Sequence, residues 1–178
     1  MMNLEDMLSS RKDSKNMTSS EFNAQIQKDK YQVFLFSSPC SFPISMFSHN
    51  WLVTNNKGII HRWEVWSYKK RCTSTLGHMT LDFYEPCIGV TILPGSSNRL
   101  DRRRFEPSLT GSISGDDGSL AQDMVNFIEK KHTEYPFKFK YHFIPGPNSN
   151  TFIQWVLNKF PASGLKLPRN AFGKNYKE

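Results

Sequence analysis

Apolar positions follow a strand-like rhythm as far as residue 93 and, apart from residues 137–143, a helix-like rhythm in the segments from residue 119 to 160. Tyr31 to Phe36 reads as a strand. Asn50 to Thr54 and Ile59 to Trp66 read as a β-hairpin around Asn55-Asn56-Lys57-Gly58. His78 to Tyr84 and Ile88 to Leu93 are two further strands, parted by Glu85-Pro86-Cys87. Pro94 to Gly118 is rich in Gly, Ser and Pro and is expected to be a loop or flap. Ser119-Leu120-Ala121-Gln122 has the form of a capping box. The stripe Leu120, Met124, Phe127, Ile128 carries the helix behind it to about Lys131. Phe137 to Phe143 alternates like a strand. Strands first and helices later point to an α+β fold, an antiparallel sheet packed on a central helix. Residues 1–29 are polar and expected to be a weakly ordered lead-in. Residues 30–178 form a single α+β domain with a basic tail from Pro161.

The joint at Pro145-Gly146-Pro147-Asn148-Ser149-Asn150-Thr151-Phe152 runs a stiff loop into a strongly apolar helix. Asn148 is a favoured N-cap residue, with its side chain placed to accept from the amides of Asn150 or Thr151. Ser149 takes the first helical position and heads the stripe Ser149, Ile153, Val156, Phe160. Its hydroxyl is therefore expected to point at neighbouring structure. Asn150, Gln154 and Asn158 form the polar stripe. By spacing alone this is a capped core helix. Helix N-termini are also where nucleophiles and anion sites are built.

A length of 178 residues, with 38% hydrophobic and 13% aromatic content, is enough for one real core. The formal net charge is +7, with runs at Lys69-Lys70-Arg71 and Arg102-Arg103-Arg104. No nucleic-acid motif accompanies these runs, so they are read as solvated faces, with Arg103 a candidate anion grip. Cys40, Cys72 and Cys87 show neither a pairing pattern nor metal-ligand spacing. Cys40 is read as structural, and no metal or cofactor is expected. The chain has no apolar signal region and no run long enough to span a membrane. It is expected to be cytoplasmic unless a specialised secretion system exports it. The expected partner is a small-molecule, peptide or lipid ligand rather than nucleic acid.

A second polar cluster sits on the hairpin. If its turn centres on Asn56-Lys57, Thr54 faces Ile59 and His49 faces Glu64, within side-chain reach. A carboxylate beside an imidazole fixes its tautomer, so His49 and Glu64 suit a base and its orienting group. A one-residue slip would put them on opposite faces. In the same register His61 stands on the other face, opposite Leu52. Local structure alone also accounts for His49, as a strand-end histidine with one hydrogen bond.

Pro145 to Phe152 with Trp155, and Leu167-Pro168-Arg169-Asn170-Ala171-Phe172-Gly173-Lys174-Asn175-Tyr176, resemble a bacterial family of unknown function. His49-Asn50-Trp51 is similar to that family's upstream element, so the resemblance spans residues 31–176. More distantly, Asn148-Ser149-Asn150-Thr151-Phe152 is similar to the Asn-Cys-x-x-Phe of circularly permuted papain-like proteins. These are the NlpC-type amidases and the lecithin:retinol acyltransferase group. That resemblance implies a hydrolase or acyltransferase acting on amide or ester bonds. Ser149 would be nucleophile and His49 base, with Glu64 or His61 in the third place. Asn148, Asn150 and Trp51 would line the binding site. Serine stands where those proteins carry cysteine, and a hydroxyl needs an aligned general base far more than a thiol does. The alternative is a non-catalytic binding module on a degenerate papain-like scaffold.

Overall fold

β-branched and aromatic residues build a six-stranded sheet whose neighbouring strands are all antiparallel. A computed structural model gives the fold over residues 15–67, 76–93 and 103–177. The strands are β1 (Lys15–Asn16), β2 (Tyr31–Pro39), β3 (Ser48–Asn56), β4 (Ile59–Val65), β5 (Met79–Leu81) and β6 (Ser108–Gly115). They lie side by side in the order β1-β6-β2-β3-β4-β5. Among the described residues, three α-helices complete the α+β fold: α1 (Ser19–Gln25), α2 (Leu120–Lys131) and α3 (Ser149–Lys159).

The sheet is covered on both faces. One face packs Val33, Leu35, Leu52 and Trp63 against Met124, Val125 and Ile128 of α2 and Phe152, Ile153 and Val156 of α3. The other packs Phe34, Phe36, Trp51 and Val53 against Met17 and against Phe22 of α1. Burial of both faces explains why β3 is buried at every position from Ser48 to Asn55. A side chain such as Phe152, fully buried in this way, contributes about 1.5–3 kcal/mol.

Lys57 and Gly58 decide the register of the β3–β4 hairpin. Both take positive φ, 48° and 95°, so they form the two-residue loop and Asn56 pairs with Ile59. The Asn55 side chain closes the turn by accepting from the Gly58 amide at 2.7 Å. Thr54 therefore faces His61 rather than Ile59, and Leu52 faces Trp63 rather than His61. The turn lies one residue later than the expected Asn56-Lys57 centre, and the pairing moves by two. A shift of two leaves every side chain on its expected face.

Four other expectations change. Of the expected lead-in, residues 1–14 lie outside the described residues, and residues 15–29 carry β1 and α1. Thr18 and Glu21 form a complete capping box on α1, which buries Phe22 in the sheet. Residues 108–115, expected within a loop, form β6 and pair with β2 across a bulge at Leu35/Phe36. Of the two strands expected over 78–93, only Met79–Leu81 forms; residues 88–93 contribute one isolated bridge, Thr91 with Arg104. Phe137 to Phe143 runs as turns instead of a strand. Both expected long helices form where their stripes predict them, with N-caps Ser119 and Asn148. At Ser119 only half of the capping box is made, because Gln122 accepts from Gly118 instead. The Lys69-Lys70-Arg71 run, Cys72 and Arg102 lie outside the described residues. No helix among the described residues is long and apolar enough to cross a membrane.

Candidate functional site

The start of α3 is fixed by its own cap and by the C-terminal segment. The Asn148 side chain accepts from the amides of Asn150 at 3.0 Å and Thr151 at 3.4 Å, and the Thr151 hydroxyl accepts from the Asn148 amide. Asn148 Nδ2 donates to the carbonyl of Phe143. Asn150 donates to the carbonyls of Ser48 and Phe172, and its Oδ1 accepts from Asn50 of β3 at 2.8 Å. The Thr151 hydroxyl donates to the Gly173 carbonyl at 2.7 Å. Asn148 and Asn150 thus tie helix, strand and tail together, and their polar groups are largely consumed in doing so.

Ser149 is buried between them. Its hydroxyl donates to Asn150 Oδ1 at 3.5 Å, the outer limit of a hydrogen bond.

His49 and Glu64 meet, although not as a directly opposed pair. Continuing the hairpin register past Leu52 sets His49 across from Trp66, and the two rings stack at 4.4 Å between centroids. Glu64 is the diagonal neighbour. His49 Nε2 lies 3.1 Å from Glu64 Oε2, and both side chains are buried. The same oxygen accepts from Arg62 at 2.8 Å. Burial pushes the Glu64 carboxyl up, but His49 and the Arg62 guanidinium more than reverse this and hold it at about 2. Glu64 is therefore ionised at neutral pH. With Nε2–H donating to the carboxylate, the ring position left over on His49 is Nδ1, which makes no hydrogen bond among the described residues.

Arg62 belongs to this cluster, and the sequence reading missed it. Its guanidinium lies 4.1 Å from the centroid of the Trp51 ring and donates to the carbonyls of Glu85 and Ile88. Desolvation lowers its pKa, with Glu64 opposing. The signal was present: Arg62 and Glu64 are two apart on one strand and so share a face. Asn50, which joins β3 to α3, was also missed, since nothing local marks a residue that acts by bonding a position 100 residues away.

The two clusters touch consecutive residues of β3. His49 lies with Trp51, Arg62 and Glu64, whereas Asn50 and the Ser48 carbonyl engage Asn150. No hydrogen bond among the described residues joins Ser149 to His49.

The remaining candidates sit elsewhere. Trp51 is fully buried, stacked on Phe36, with its indole N–H donated to the Pro86 carbonyl. His61 projects from the other face of β4 and pairs with Asp82 at 2.6 Å, half in solvent. Arg103 is exposed, and its carbonyl accepts from Ile92. Burial raises the Cys40 thiol to about 11, so it is no thiolate nucleophile. An open hollow of about 520 Å³ lies by α1, lined by residues such as Phe22, Ile60, Asp82 and Tyr84 and by none of His49, Glu64 or Ser149.

A sequence model of the family described as "Protein of unknown function (DUF3750)" matches residues 30–176. The chain belongs to that family. No curated protein and no solved structure matches it. The matched range takes in β2 through the C-terminal clamp, and with them both polar clusters. It begins just after α1, so the helix that covers the second sheet face lies outside the family match.

Proposed function

We propose that this DUF3750 protein is a hydrolase or acyltransferase acting on amide or ester bonds. The observation that carries the reading is the buried His49 Nε2–Glu64 Oε2 bond at 3.1 Å, backed by Arg62. A buried, ionised carboxylate on one ring nitrogen leaves the other nitrogen as a base. Ser149, at the first position of α3, is the candidate nucleophile. The order His49, Glu64, Ser149 along the chain is that of the permuted papain-like arrangement.

His49 stands on the sheet face that α1 covers, whereas α3 packs on the other, so the reaction requires the start of α3 to shift. The Ser149 hydroxyl leaves Asn150 Oδ1, comes within reach of His49 Nδ1 at the end of β3 and passes its proton there as its oxygen attacks the acyl carbon. The imidazolium then returns the proton to the leaving amine or alcohol. Oxyanion donors are restricted by the cap. The amides of Asn150 and Thr151 are already spent on Asn148, which leaves the amide of Ser149 itself.

A second reading is favoured by one observation: among the described residues the Ser149 hydroxyl bonds only Asn150. On that reading the helix start is purely structural and the module only binds. A serine-directed fluorophosphonate separates the two. Catalysis predicts labelling of Ser149 that falls by about 100-fold or more in His49→Ala. Equal labelling of wild type and His49→Ala, or none in either, rejects the catalytic reading.

A further inference from the structure

Beside the start of α3 the protein exposes a cluster of large apolar side chains. Phe42, Met46, Ile144 and Phe172 are 61%, 58%, 52% and 46% exposed. Phe47 joins them, with its ring 4.7 Å from Phe172 and 5.8 Å from Phe143. The patch is assembled from three separate stretches of chain: the β2–β3 connection, the loop before α3 and the C-terminal segment. Ser48 N to the Asn170 carbonyl and Asn170 Nδ2 to the Met46 carbonyl stitch the first stretch to the third, and the Phe143 ring brings the second against Phe47. Isolated exposed apolar residues are ordinary, but several on adjoining loops mark a surface that meets something apolar.

Charge identifies the occupant. The three stretches, residues 40–48, 138–147 and 166–177, contain no Asp or Glu, while Lys138, Lys140, Lys166, Arg169, Lys174 and Lys177 stand in them. Arg169 and Lys174 are close enough to repel, and the Lys174 ammonium is also tied to the Pro168 carbonyl. A second copy of this chain would bring the same positive rim against itself, so self-association is disfavoured. Apolar tips on stretches whose formally charged residues are all cations match the interface of a bilayer that carries anionic lipid, where the tips enter the acyl boundary and the cations meet headgroups.

We propose that this patch is a membrane-docking surface for anionic lipid, which seats the protein on a bilayer without spanning it. The patch adjoins Ser149 directly, since Asn148 and Asn150 bond the carbonyls of Phe143 and Phe172. Docking does not require Ser149 to be catalytic.

The test is co-sedimentation with vesicles of phosphatidylcholine alone and of an equimolar phosphatidylcholine–phosphatidylglycerol mixture. Wild type sediments with the mixed vesicles, releases as salt rises and binds far more weakly to phosphatidylcholine alone. The double variant Phe42→Ser/Met46→Ser, whose sites are exposed and leave the core intact, binds about tenfold or more weakly. Arg169→Gln binds about fivefold more weakly, and Ser149→Ala binds as wild type. Three results overturn the proposal. The first is no sedimentation with either vesicle. The second is equal binding by wild type and the double variant, which means adsorption by charge alone. The third is lipid-free self-association that the double variant abolishes, which marks the patch as a contact between copies.

Discussion

Glu64 concentrates the electrostatics of the site in one buried carboxylate. A single oxygen serves both His49 and Arg62, while Oε1 has no partner within the described protein. Its folded pKa is depressed to about 2. The stability it contributes is therefore present above the unfolded value and lost as pH falls through the folded one. Unfolding free energy measured by denaturant is expected to drop by roughly 3 kcal/mol between about pH 5 and pH 2 because of this group. Glu64→Gln is expected to flatten that slope. It is also expected to lower stability at neutral pH by about 3–5 kcal/mol, because Arg62 is left buried without its counter-charge. A variant with the wild-type acid slope would show that Glu64 is not the group responsible. The pairing of His49 with Glu64 was legible in the sequence although the assumed register was wrong, because face depends only on whether positions differ by an even number.

At the level of elements, α3 is the part of the fold that the sequence describes best and the part most dependent on distant chain. Its N-cap and apolar stripe are local, and both stand where the pattern puts them. Its fixation is not local. Leu167 and Ala171 are buried, and Phe172 and Gly173 accept from Asn150 and Thr151, so the basic tail works as a clamp on the helix start. Gly173 has φ of 84°, and a Cβ there would lie 2.3 Å from Asn148 Nδ2. Gly173→Ala is expected to break the clamp, costing at least about 1 kcal/mol from the backbone alone. It should also open residues 165–177 to limited proteolysis at a rate the wild type does not show. Unchanged cleavage in this variant would mean that the tail is held elsewhere. The β6 strand escaped the sequence reading for a related reason. Ser108–Gly115 carries two glycines and three serines, and its pairing comes from β2, more than 70 residues away.

Across the whole molecule, the sheet is stable only because both faces are covered. Phe22 makes edge contacts with Phe34 at 5.1 Å and Phe36 at 5.6 Å, and the stack continues through Trp51 to Arg62. Seven residues of helix outside the matched family range thus shield the face that carries the His49–Glu64 pair. Phe22→Ala is expected to cost about 3–5 kcal/mol, read as a shift of the denaturant midpoint. A disposable lead-in would show no shift.

The sequence by itself determined the α+β class, the capped helix α3 and the shared face of His49 and Glu64. Each rests on periodicity or on side chains within one turn, which are local properties. The tertiary structure alone decided the hairpin register, the place of β6, the docking of α1, the Arg62 contacts and the partner of Ser149. Those depend on which distant side chain fills a given space, and Asn150 rather than His49 is the residue that bonds the serine. Where the polar joint meets the rest of the protein was settled by packing, because hydrogen bonds over 22 and 102 residues of separation have no spacing rule to reveal them.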